Sequence, residues 1–286
     1  MKKIFTACFI LFSLLSFSQS TTVVISQVYP GGGSSSTTVT YKNDYVELHN
    51  ISSVVQDISG FSLQYGSATG NFGNTATQIF AIPAGTTIPS GGYLLIQLGT
   101  AGTGGANLPV TPDLSSTNLS MGAASGKVAL VNNSTALGCG ATATTCTLPA
   151  ANIIDLVSYG ASNNAEGGVT VNNGVALPSN TNGCVRKTNG CTETDNNNAD
   201  FEVIVAPVPR NSASPVLLCG SAPVPSLSVS ALPAFGNVCI NTSAGPNSFT
   251  ITGSNLTTAD VTVAALAGYT YSTTAGGTYT TTLNIT

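Results

Sequence analysis

The stretch YKNDYVELHN, Tyr41 to Asn50, brings together Lys42, Asp44, Glu47 and His49 in a chain with only 6% charged residues and one histidine. Its second half alternates. Val46 and Leu48 fall on one side of an extended backbone, and Tyr45, Glu47 and His49 fall on the other. A period of two over DYVELHN predicts a β-strand. Two readings of that strand compete. As a reaction centre, His49 would act as base and Glu47, ~6–7 Å along the same face, would orient it towards a nucleophile from elsewhere. No G-x-S-x-G or other motif supplies that nucleophile. As a half-buried strand, the apolar side meets a core and the charges meet solvent. The second reading is the expectation, and no catalytic residue is assigned.

The rest of the chain agrees with a strand. Apolar residues make up 42% of the 286 positions, and Thr, Val, Ile and Tyr outnumber the helix formers Glu, Lys, Arg and Gln. Period-two runs bounded by Gly, Pro, Asn and Ser recur at Thr21–Tyr29, Asp44–Asn50, Phe61–Tyr65, Gln78–Ile82, Tyr93–Leu98, Lys127–Val131 and Ile153–Tyr159. No segment sustains a period of 3.6. These features predict an all-β sandwich. Residues 163–215 read instead as Asn- and Gly-rich turns followed by Pro-containing extended chain. APVPSLSVS, residues 222–230, reads as a linker stiffened by Pro223 and Pro225. Strand patterns return at Phe249–Thr252, Val261–Ala264, Tyr269–Thr273 and Tyr279–Ile285. Residues 231–286 fall short of the ~100 residues of an immunoglobulin sandwich and stop inside a strand pattern. A second, incomplete β domain, or a chain cut from a longer one, is therefore expected.

The N-terminus MKKIFTACFILFSLLSFSQS has Lys2 and Lys3, an apolar run from Ile4 to Phe17 and a small-residue exit at Ser16-Phe17-Ser18. That is the pattern of a cleaved secretory signal over residues 1–18, and Cys8 leaves with it. A spanning helix needs ~20 apolar residues, and no later segment offers them. The expected location is extracellular or at the cell surface. Six cysteines remain, Cys139, Cys146, Cys184, Cys191, Cys219 and Cys239, and an even number in an exported chain predicts disulfides. The simplest pairing joins Cys139 to Cys146, Cys184 to Cys191 and Cys219 to Cys239. A zinc site is the rival reading, but no Cys-x2-Cys exists and His49 is remote in sequence, so no metal is assigned.

Net charge of −4 with seven Lys and Arg leaves no clustered basic face, which excludes a nucleic-acid groove built on phosphate contacts. CTETDNNNADFE gathers Glu193, Asp195, Asn197, Asp200 and Glu202, oxygen ligands of the kind calcium takes. The glycine of an EF-hand loop is missing, and an acidic turn is the expectation. Arg186 and Lys187 could pair with these carboxylates at the surface, for ~0–1 kcal/mol. Gly31–Gly33 and Gly104-Gly105 lack the Gly-Lys-Ser/Thr of a phosphate loop. Tyr29, Tyr45, Tyr65 and Tyr93 could form an aromatic platform for sugars, or equally be core and rim residues. No cofactor is expected.

Several blocks carry a resemblance: VVISQVYPGGG, YKNDYVELHNISSVVQDISGFSLQYGSATG, IPSGGYLLIQLG, LPVTPDLSSTNLSMGAASGKVALVNN, IIDLVSYG and NADFEVIVAPVPRNSASP. Together they resemble the lamin tail domain of secreted bacterial proteins over most of Thr21–Pro215. The resemblance implies an immunoglobulin-like β-sandwich at 19–221, in which Tyr45–Asn50 is a structural strand ending in an Asn turn. ALPAFGNVCINTSAGPNSFTITGSNLTTADVTVAA resembles, less specifically, immunoglobulin-like repeats of Bacteroidetes-type bacteria. The implied function is a non-catalytic binding or adhesion module. It would attach to an extracellular protein or polysaccharide surface, or position a fused catalytic domain. The alternative is the accessory region of a longer extracellular hydrolase, above all a nuclease, and a hydrolase using Glu47 and His49 is a weaker third.

Overall fold

The structure, a computed structural model, describes residues 22–174, 178–220, 226–239, 242–254 and 260–285. The expected signal segment and the first part of the expected linker, 222–225, lie outside these residues. The chain divides into two compact units at Gly220/Ser221.

The first unit contains β1 (Val23–Tyr29), β2 (Asp44–Asn50), β3 (Gln56–Asp57), β4 (Ser62–Ser67), β5 (Ile79–Ala81) and β6 (Thr87–Ile88). It continues with β7 (Tyr93–Leu98), β8 (Leu114–Ser115), β9 (Gly126–Val131), β10 (Ile153–Tyr159), β11 (Asn182–Arg186) and β12 (Phe201–Val205). One sheet has the order β12-β11-β1-β2-β7-β8 and the other β10-β9-β4-β5, with β3 and β6 forming a short ribbon. Pairing is antiparallel throughout the two sheets except between β7 and β8.

The inward positions of each strand make one core. Val28, Val46, Leu48 and Ile96 from the first sheet meet Leu63, Val128, Leu130 and Val157 from the second. Each such side chain contributes ~1.5–3 kcal/mol by leaving water. The outer faces are covered as well. Phe72, Ala129, Val131, Ile153 and Leu156 pack beneath Leu137, Cys146 and Leu148, at and beside the loop closed by the Cys139–Cys146 disulfide. Tyr29, Tyr41, Tyr45 and Leu95 pack with Leu108 and Val110 on the far side of the first sheet. Every residue of β1 and β2 is therefore buried.

Three expectations change here. The segment expected to be turns and extended chain supplies β11 and β12, which extend the first sheet from β1 through Gln27↔Val185 and Val28↔Cys184. NGCVR is too short and mixed to announce itself; the free edge of β1 selects it. The expected linker contains a strand, β13 (Ser226–Val229), which pairs with β14 (Ile251–Ser254) in the second unit. There, β15 (Val261–Val263) pairs with β16 (Leu283–Ile285). The pattern at Tyr269–Thr273 yields only the bridge Tyr271↔Thr280. Among the described residues no helix is long and apolar enough to cross a membrane.

Candidate functional site

Alternation in DYVELHN holds, but the polar side of β2 does not meet water. Tyr45, Glu47 and His49 lie under a strap of irregular chain, residues 207–219, laid across the outer face of the first sheet. A strap without a ladder of its own must find partners for its backbone, and the polar row provides them. Tyr41 and Tyr45 hydroxyls donate to the Pro207 carbonyl at 3.1 and 3.2 Å. Gln27 Nε2 donates to Val208 O at 3.0 Å. Arg210 N donates to Glu47 Oε2 at 2.5 Å, and Leu217 N donates to Gly91 O at 2.8 Å. Asp113 accepts from Ser212 N.

Glu47 is 0% exposed and is compensated. Arg210 Nη2 stands 2.7 Å from its Oε1, Ser26 Oγ donates at 2.6 Å and Gln27 Nε2 at 3.2 Å. Burial pushes its pKa up while the Arg210 guanidinium opposes the rise. Arg210 in turn lies 4.0 Å from the Tyr93 ring centroid. All of Glu47's oxygens are thus engaged in holding the strap.

His49 is also 0% exposed. Its ring stacks on Tyr93, centroids 4.3 Å apart at 18°. Nε2 lies 3.0 Å from the Leu217 carbonyl and Nδ1 lies 3.2 Å from the Gly190 carbonyl. Carbonyls only accept, so a neutral ring donates once. The closer contact places the proton on Nε2 and leaves the Nδ1 lone pair without a donor among these neighbours. Burial lowers the His49 pKa, against the pull of the Gly190, Leu217 and Gly91 backbone carbonyls. Gly190 has φ +97°, and a Cβ there would come 2.9 Å from Nδ1, so only glycine lets the turn close over the ring.

Beside Nδ1 stands the Cys191–Cys219 disulfide, with Cys219 Sγ 3.8 Å away. His49, Cys191 and Cys219 present ligating atoms all within 4.8 Å of one another. The expected pairs Cys184–Cys191 and Cys219–Cys239 are therefore corrected. Cys184 points into the core from β11 with burial pushing its thiol pKa up, and Cys239 is exposed, both as free thiols. His49, remote from the cysteines in sequence, is close to them in space: the strap and the turn before Cys191 bring both sulfurs to it.

Arg186 departs furthest from a surface pair. Its side chain is 0% exposed. Nη2 lies 2.6 Å from Asp155 Oδ2 on β10, and Nη1 lies 2.5 Å from Glu193 Oε2 and 3.6 Å from Asp200 Oδ2. Nε donates to Ile25 O at 2.9 Å, next to the bulge between Ile25 and Gln27 in β1. Asp155 Oδ2 also accepts from Ile25 N. One guanidinium thus joins both sheets and the acidic turn. Three of the five side chains that could have bound calcium, Glu193, Asn197 and Asp200, are engaged: Asp200 accepts from Thr194 N and Oγ1. Asn197 accepts from Ser158 N and donates to Leu156 O. Glu166 accepts from Leu156 N at 3.0 Å. Burial first, then Asp155, raises its pKa well above the usual carboxylate range. Asn197 and Glu166 stand where a further strand would sit beside β10, which closes that sheet edge.

Lys127 is buried as well. Nζ donates to Ser67 O at 2.7 Å, Ala68 O at 3.1 Å and Asn163 Oδ1 at 2.9 Å. Burial lowers its pKa to about 8. Tyr29, Tyr45, Tyr65 and Tyr93 are all buried, so these four rings form no exposed sugar platform. A groove of about 480 Å³ borders the strap, lined by Gln27, Thr188, Glu202, Ile204, Val208 and Arg210 among others. Sequence reasoning missed Arg210, Asp155 and the strap. The available signal was a lone Arg in APVPRNSASP, too weak to aim at Glu47.

The family model LTD (Lamin Tail Domain) matches residues 16–161, just over half of the chain. The match ends after β10, so β11, β12 and the strap lie beyond it. No curated protein matches the chain. With its two-sheet sandwich and this match, the chain belongs to the lamin tail domain family.

Proposed function

We propose that this is an exported, non-catalytic binding module that attaches to an extracellular polymer or protein surface and carries its second β unit with it. The observation that supports it best is the way the buried ionic groups are used. Glu47 is neutralised by Arg210 and Arg186 by Asp155 and Glu193, and the Lys127 ammonium donates to three neutral oxygens. A general base needs an acceptor free to reach substrate; Glu47 has its oxygens committed, and Glu47 and His49 lie beneath the strap. These groups build a frame. Two disulfides fit an oxidising compartment, and the N-terminal basic-apolar pattern is that of a secretory signal.

The test is co-sedimentation of the fluorescently labelled full chain with insoluble cellulose, chitin and peptidoglycan, alongside a heat-denatured control. Saturable retention on one polymer without release of soluble sugar is expected. Turnover of polysaccharide, phosphate-ester or nucleic-acid substrates that is lost in Glu47→Gln would overturn the reading.

A further inference from the structure

The His49 corner contains more than a frame requires. Its Nδ1 is buried 3.2 Å from the Gly190 carbonyl and 3.8 Å from Cys219 Sγ of the disulfide, and with Nε2 donating to the Leu217 carbonyl the Nδ1 lone pair has no donor among these neighbours. A histidine that ligates a metal is held in this way, with the far nitrogen donating to a backbone carbonyl that fixes tautomer and ring plane. Stacking on Tyr93 fixes the plane further.

We propose that Cys191 and Cys219, once reduced, join His49 Nδ1 in a site for a divalent cation of the zinc class. The corner is then locked either by a disulfide or by a metal.

The distances suit this ligand set. Zinc bonds of ~2.3 Å to sulfur and ~2.0 Å to nitrogen, at a tetrahedral angle, put the two ligand atoms ~3.5 Å apart. Cys219 Sγ and Nδ1 are 3.8 Å apart before any adjustment. The two sulfurs must separate to ~3.8 Å in such a site, and with Cα atoms 5.3 Å apart side-chain rotation can do this. The fourth position falls to water or to the Gly190 carbonyl, already 3.2 Å from Nδ1. Charge also balances: two thiolates and a neutral imidazole on a divalent cation sum to zero, and Arg210 nearby is neutralised by Glu47.

The chemistry closes. A dithiol donor supplies two electrons and two protons, the Cys191–Cys219 bond breaks, and the donor leaves as its own disulfide. The cation then displaces the two thiol protons into solvent.

The experiment uses the wild-type full chain. It is reduced with a phosphine, freed of reductant, and alkylated with iodoacetamide with and without zinc, and each cysteine is mapped by mass spectrometry. Zinc is expected to slow alkylation of Cys191 and Cys219 by roughly tenfold or more, leaving Cys139, Cys146 and Cys239 unprotected. Cobalt added to the reduced chain should give thiolate charge-transfer and tetrahedral d–d bands, both absent from the oxidised chain. His49→Gln should weaken cobalt binding by roughly tenfold or more; if that variant does not fold, the wild-type mapping decides. Equal alkylation of Cys191 and Cys219 with and without zinc would overturn the proposal. So would a cobalt spectrum unchanged in Cys191→Ser.

Discussion

Asp44 shows how a single residue of the opening stretch can set the response of the fold to pH. Its Oδ1 accepts from Gly32 N at 2.8 Å and its Oδ2 from Met121 N at 2.7 Å. These bonds tie the loop after β1 to the chain entering β9. The loop approaches so closely that a Cβ on Gly32 would stand 2.1 Å from Asp44 N. Burial nevertheless pushes the Asp44 pKa up from 3.8 to about 7. The folded state then binds the proton more tightly than the unfolded one. Its contribution is most favourable below pH ~4 and declines as pH rises towards 7, by on the order of 4 kcal/mol. Asp44→Asn should be less stable than wild type at pH 5, because one N–H then faces an amide nitrogen. The gap should narrow towards pH 8. Urea denaturation across that range measures it, and a constant gap would refute the assignment. Arg186 gives the complementary case. Arg186→Met leaves Asp155 and Glu193 without their cation, and breaking a buried pair costs about 3–5 kcal/mol. The loss should shrink in acid as the carboxylates take up protons, which the same denaturation series reads out.

At the level of elements, β2 explains what the sequence could and could not reveal. Tyr45, Glu47 and His49 do share a face, because alternation is a property of the backbone. Burial of that face depends on a strap some 160 positions away, and no local pattern encodes it. The inward residues Val46 and Leu48, and the strands β7 and β10, were legible because their apolar periodicity is local. β11 was not, since Cys184 and Arg186 are packed by the edge of β1 and by the acidic turn. Cysteine pairing failed for the same reason. The short loop of Cys139–Cys146 is a neighbour relation in sequence, whereas Cys191–Cys219 is set by where the strap ends. Loop length also orders the energetics: chain entropy gives ~2.4 kcal/mol for a separation of 7 and ~3.6 kcal/mol for 28. Cys191→Ser/Cys219→Ser should thus lower the denaturation midpoint more than Cys139→Ser/Cys146→Ser, measured without metal. The reverse order would mean that the strap contributes little to the folded state.

At the scale of the molecule, burial is unevenly shared between the two units. The hydrophobic core runs from Val23 to Phe201, with Pro207 and Pro209 of the strap also buried, and among the described residues of the second unit none is buried. Leu227, Val229 and Tyr279 are 52%, 61% and 42% exposed there. Two-stranded ribbons such as β13–β14 and β15–β16 are marginal by themselves, because sheet stability needs a covered apolar face. The first unit instead has a central core, covered outer faces, two disulfides and buried ion pairs that join its sheets. Opening free energies should differ accordingly, from near zero in weakly buried segments to the global value in core strands. Hydrogen exchange read by mass spectrometry should show amides of β13, β14, β15 and β16 exchanging well before those of β1, β2 and β7. Residues 22–220 expressed alone should unfold in one transition at the midpoint shown by β2 in the full chain. A lower midpoint for the shortened chain would mean that the second unit stabilises the sandwich, and that cooperativity crosses Gly220.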